Sequence, residues 1–195
     1  MQHKIPSSKM LPRSTDVNFL FTEETYLGAN MVLIADEEEK VRDALSVAVH
    51  RWAQEEQRNI ETIKVENGQQ TIDSIHHMVR YHKPPLLVIA DLRMPDMSGV
   101  DVAETINRKY AQMPIIITAS YDENDENLIK KADDFADKYS HVSFIIRTKS
   151  SPLLKVVLES EIKKILSKPG TYRQDTQGQF GTLRKKLSKL WKNSF

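Results

Sequence analysis

Five short apolar runs, each followed by a stretch with helical spacing, occupy residues 30 to 168 and leave few architectures open. Met31 to Ala35, Ile60 to Val65, Leu86 to Ala90, Ile115 to Thr118 and Val142 to Ile146 are four to six residues long. Most are almost continuously apolar, as befits strands buried on both faces. Between them apolar residues recur three and four apart. Val41, Leu45, Ala48, Val49 and Trp52 form one such stripe, the mark of an amphipathic helix. Asn67-Gly68, Pro84-Pro85, Gly99 and Pro114 punctuate the alternation. Strict strand–helix alternation with right-handed crossovers predicts a doubly wound α/β fold, a five-stranded parallel sheet flanked by five helices. In such sheets functional groups collect beyond the carboxyl ends of the strands.

Those ends supply two kinds of group. Asp36-Glu37 follows the first run, Asp91 follows the third, and Thr118 closes the fourth. Carboxylates brought together from separate strands repel, by about 1 kcal/mol per pair at 4 Å in water and about 4 kcal/mol at an effective dielectric near 20. Two readings stand side by side. The acids hold a hard divalent cation, Mg²⁺ being suited to one or two carboxylates with waters and a phosphate. Alternatively they are solvated or cap the next helix, Asp36 being placed to cap the first.

The stretch LLVIADLRMPDMSG, ending at Gly99, resembles the phosphoacceptor signature of two-component response regulator receiver domains. VLIADEEEKVR resembles their first strand and acidic pair, and MPIIITAS their fourth strand with its switch hydroxyl. The resemblance covers roughly residues 30 to 168. It implies a flavodoxin-like strand order, 2-1-3-4-5. It further implies that Asp91 takes a phosphoryl group from a sensor histidine kinase or phosphotransfer protein. Asp36, Glu37, Asp91 and the backbone carbonyl of Arg93 would form a Mg²⁺ shell, Asp36 directly or through water. Thr118 would bind a phosphoryl oxygen, and Phe144 would be the aromatic that turns between exposed and buried states. The resemblance also implies signalling to a downstream protein target, not turnover of an outside substrate. Two departures stand out. Glu37 is found where aspartate is commonest, and FIIRTKSSP replaces the usual lysine–proline at the end of the fifth strand. The cation that pairs with the phosphoryl group is then Arg147 or Lys149, and a guanidinium is not equivalent to an ammonium. A phosphorylation-independent adaptor with the same fold is the rival reading.

Composition limits the remaining classes. The chain has 195 residues and no cysteine, which suits one domain with extensions and excludes disulfides and thiolate metal sites. No apolar run reaches the roughly 20 residues of a membrane span, and no signal-peptide core is present, so a cytoplasmic location is expected. Residues 1–29 read as a polar lead-in, with Phe19 to Phe21 as a short apolar clip. Residues 169–195 read as a linker and a basic amphipathic helix, with Phe180, Leu183, Leu187, Leu190 and Trp191 on one stripe. Arg184, Lys185, Lys186, Lys189 and Lys192 lie in residues 180–195 without an acid, although the whole chain is only +1. That helix would lie on its own domain, on a partner protein or on an anionic membrane surface. Nothing resembles a helix-turn-helix, so no sequence-specific nucleic acid is expected. His76, His77 and His82 read as surface residues, and the acidic stretch from Asp122 to Glu126 as the start of the fourth helix.

Overall fold

Each apolar run becomes a strand and each helical stretch a helix in the computed structural model, which describes residues 29–120, 124–147 and 151–166. In chain order these are β1 (Met31–Ala35), α1 (Glu39–Glu55), β2 (Glu61–Val65), α2 (Gly68–Arg80), β3 (Leu87–Asp91), α3 (Gly99–Lys109), β4 (Ile115–Ala119), α4 (Glu126–Lys138), β5 (Val142–Ile146) and α5 (Ser151–Leu166). The strands are all parallel in the order β2-β1-β3-β4-β5, as expected. The basic segment 180–195 and the lead-in 1–28 lie outside the described residues.

The two faces of the sheet follow the period of two along each strand. Leu33, Ala35, Val88, Ala90, Ile115, Ile117, Val142 and Phe144 pack against α2, α3 and α4. Val32, Ile34, Leu87, Ile89, Ile116 and Ile145 face the other way, against Trp52 and Val49 of α1 and Leu158 and Ile162 of α5. Central β3 and β4 are buried at every position. Edge strand β2 is covered only in part, with Glu61 and Lys64 exposed, and Lys64 pairs with Asp43 at 2.8 Å, a charged edge that discourages pairing with other chains. On β5 the one polar residue of the α5 side, Ser143, donates its hydroxyl proton to Glu161.

Helix starts are chemically marked. Asn67 Oδ1 accepts from Gln70 N at 2.9 Å, and Ser98 and Asp101 form a reciprocal capping box on α3. The fourth helix begins later than the acidic stretch suggests. Asp125 is its cap, accepting from Leu128 N at 3.0 Å, and the first turn starts at Glu126 rather than Asp122.

Beside the β4–β5 edge, His141 donates its Nε2–H to Asn107 Oδ1 at 2.9 Å. Burial pushes its imidazole down to about 4 from the ordinary 6.5. The unfolded chain therefore takes up this proton first as pH falls, so the contribution of His141 to stability declines from about pH 6.5 towards 4, against the opposite change that a carboxyl raised by folding makes over the same range. By pH 5 the loss is about 2 kcal/mol. Urea unfolding at pH 7 and pH 5 should show it as a difference, the change on going to pH 5 being about 2 kcal/mol less favourable in the natural chain than in His141→Gln. An equal loss in both would assign it to other groups.

Candidate functional site

Two residues beyond the apolar positions that face α1 and α5, the strands place four polar side chains. Asp36 follows Val32 and Ile34, Asp91 follows Leu87 and Ile89, Thr118 follows Ile116, and Arg147 follows Ser143 and Ile145. The period of two thus brings two acids, a hydroxyl and a guanidinium to one corner of the sheet. Register sets them side by side: Asp91 pairs with Thr118 on the β3–β4 ladder, and Arg147 N donates to Ala119 O at 2.7 Å. All four are buried, with exposures of 1% for Asp36, 6% for Asp91, 0% for Thr118 and 8% for Arg147.

Arg147 spans the acids. Its Nη1 donates to Asp36 Oδ2 at 2.6 Å and its Nη2 to Asp91 Oδ1 at 2.8 Å. The planar fork suits this, because two donors held at fixed separation reach two different carboxylates. The other two oxygens are also engaged: Glu38 N donates to Asp36 Oδ1 at 2.9 Å, and Arg93 N to Asp91 Oδ2 at 3.1 Å. Burial pushes the Asp91 carboxyl up to about 7. The charges of Asp36 and Glu37 add to that rise, while Arg147 and the Arg93 N–H oppose it. Thr118 Oγ1 is buried beside this group with no hydrogen-bond partner among the described residues. Buried hydroxyls are ordinarily paired, so this one requires an explanation.

Of the residues expected to act together, Asp36, Asp91, Thr118 and Arg147 meet. Glu37 is exposed, and Arg42 Nη1 donates both to its backbone carbonyl, at 3.1 Å, and to that of Asp36, at 2.7 Å. Asp36 does not cap α1 as expected: the cap is Glu38, whose N–H donates to Asp36 Oδ1, so Asp36 holds the residue before the helix and faces Asp91 through Arg147. Arg93 meets Asp91 through its N–H. Phe144 is buried, in the cluster that packs against α2, α3 and α4. Lys149 lies outside the described residues. Among the described residues no three acids or histidines come close enough to hold a metal ion. The donor set presented here therefore does not fit a Mg²⁺ shell, since each buried carboxylate oxygen already accepts an N–H and Glu37 is exposed.

Two supports of the site lie within the LLVIADLRMPDMSG stretch, but what they touch is not legible from it. Asp96, in the loop after β3, accepts from Gly68 N at 2.9 Å and from Gln69 N at 2.7 Å, so this loop helps cap α2. Those partners lie 28 and 27 residues upstream, beyond any short spacing rule. Gly99, at the start of α3, lies against Asp91 itself: a Cβ there would sit 2.4 Å from the Asp91 carbonyl oxygen.

The sequence model of the response regulator receiver domain matches residues 32–146. The luminescence regulatory protein LuxO of Vibrio campbellii is 27% identical over 124 residues, covering 64% of this chain but 25% of LuxO. The chain therefore spans about a quarter of that relative's length. Among solved structures, the phosphorylated cyanobacterial phytochrome response regulator RcpA superposes with a TM-score of 0.58 at 15% identity, over 72% of this chain and 96% of RcpA. The receiver domain of a signal transduction histidine kinase from Syntrophus aciditrophicus does so with a TM-score of 0.56 at 19% identity, over 77% and 99%. Both show the same fold.

Proposed function

This chain belongs to the response regulator receiver family, the signalling modules of two-component systems, and we propose that it accepts a phosphoryl group on Asp91. An Asp91 carboxylate oxygen attacks phosphorus in line, the bond from phosphorus to the donor's imidazole nitrogen breaks, and its electron pair leaves with that nitrogen. Arg147 neutralises charge on the acyl phosphate, and Thr118 donates its hydroxyl proton to a phosphoryl oxygen. The observation that carries this reading is Thr118 Oγ1, a buried hydroxyl without a partner among the described residues, in register with Asp91. Preplaced donors of this kind stabilise charge without reorganising during the reaction. Receiver domains in general bind Mg²⁺ for phosphorylation, but the transfer above uses only residues that the site presents.

A sensor histidine kinase or phosphotransfer protein is the phosphoryl source in this reading, and the output is contact with a downstream protein. Phe144 then serves as the aromatic that couples the site to that contact face. No helix among the described residues is long and apolar enough to cross a membrane. A cytoplasmic protein fits, with the basic segment 180–195 as the element that would hold it to an anionic lipid surface. One observation favours a second reading, an adaptor that works unphosphorylated: Arg147 already bridges both buried acids.

Incubation with acetyl phosphate followed by intact-mass measurement separates the two. The expected result is a gain of one phosphoryl mass in the natural chain and none in Asp91→Asn. Thr118→Ala should slow uptake by about 10²-fold, the loss typical of one donor to developing negative charge. Absence of any adduct on Asp91 would leave the adaptor reading.

A further inference from the structure

The corner of the sheet holds two buried acids and already contains a cation. A divalent ion seated between Asp36 and Asp91 needs the oxygens that now accept from Arg147 Nη1 at 2.6 Å and Nη2 at 2.8 Å. It would also stand beside the guanidinium it displaced, and two cations so close in a buried place repel. With its backbone held by N–H to Ala119 O at 2.7 Å, Arg147 leaves the acids by rotation of its side chain between staggered rotamers. The alternatives are discrete, with the guanidinium either between the acids or out of the site. Glu37, the third acid that would help a metal compete, is exposed, and no other acid or histidine completes a metal cluster among the described residues.

We infer that Arg147 is the resident counter-ion of this site, and that it and Mg²⁺ exclude one another between Asp36 and Asp91. An ammonium would not do the same, since it places one point charge near one carboxylate instead of two forked donors across both. Whether a divalent cation enters is therefore set by a side chain of the chain itself, and anything that draws Arg147 outward opens the site to the ion. The inference takes its signalling role from the reading of Asp91 as phosphoacceptor, although the exclusion itself rests on the geometry alone.

Calorimetric titration of the full, EDTA-stripped chain with MgCl₂ tests it. Arg147→Gln should bind Mg²⁺ at least tenfold more tightly than the natural chain. The gain should vanish when Asp91→Asn is added, which locates the ion at the acids. Arg147→Lys keeps a positive charge and is the safer folder; it should fall between the two. Equal Mg²⁺ affinity in all three chains, or a gain that survives Asp91→Asn, overturns the inference. Acetyl phosphate labelling of the same samples keeps the two ideas apart. Labelling with equal Mg²⁺ affinities sinks the counter-ion alone, whereas a graded affinity with no labelling sinks the phosphoacceptor alone.

Discussion

Arg147→Ala is expected to lower stability by about 3–5 kcal/mol in urea unfolding near pH 8, the cost of leaving buried charges without their partner. The alkaline condition keeps Asp91 ionised, since burial pushes its carboxyl up to about 7. Without the guanidinium, Asp36 and Asp91 face each other in a place that water scarcely reaches, with exposures of 1% and 6%. A backbone N–H remains on each, from Glu38 and from Arg93, but neither carries a full charge. Adding Asp36→Asn removes one of the two charges that need Arg147. The double variant should therefore be more stable than the sum of the single losses, a coupling of the size found between directly contacting groups, about 0.5–3 kcal/mol. A loss under about 1 kcal/mol for Arg147→Ala would mean that the bridge contributes no more than a surface ion pair.

Arg147 also marks where sequence reasoning reached its limit. Its role as a cation near Asp91 was legible as one of two choices, because it follows the fifth apolar run directly. Its hold on Asp36 was not, since the two residues are 111 apart in the chain and no spacing rule relates them. Asp91 and Thr118 were easy for the opposite reason. Each ends a fully apolar run on a central strand, and in a parallel sheet such ends converge. The acidic pair was harder. Asp36 and Glu37 are neighbours, and neighbours in extended chain point opposite ways. Only one of them turns inward, but β1 is apolar on both faces, so no alternation reveals which one it is. The structure answers with Asp36 and leaves Glu37 exposed. The expected Mg²⁺ shell depended on both acids. Fold class was legible throughout, because strand–helix alternation survives small errors at element ends, while the strand order was legible only through the family resemblance. The late start of α4 at Glu126 is such an error, arising from a run of acids in which any residue could serve as the cap.

Gly99→Ala should be the most damaging of the small substitutions, costing about 3 kcal/mol, near the top of the usual range for overpacking. The added Cβ would meet the Asp91 carbonyl oxygen at 2.4 Å, its carbonyl carbon at 3.0 Å and Leu92 Cα at 3.3 Å. These are backbone atoms of a buried strand end, with no rotamer to change. The approach is close because Gly99 N donates to Leu92 O at 2.9 Å while the Ser98–Asp101 capping box fixes the start of α3. Relief must come from moving α3 or the end of β3, and moving β3 displaces Asp91 from Arg147 and Thr118. A shift of about 1 Å in a reacting group can cost about 10²-fold in rate. Phosphoryl uptake from acetyl phosphate should fall by that order even where urea curves show Gly99→Ala still folded. Gly68→Ala is the control. Its Cβ would meet Met97 Cγ at 2.2 Å, a tighter approach but to a side chain that can swing aside. It should lose less stability and leave uptake nearly unchanged. If the two substitutions cost the same in both measurements, the close contact of Gly99 with Asp91 does not position the acceptor.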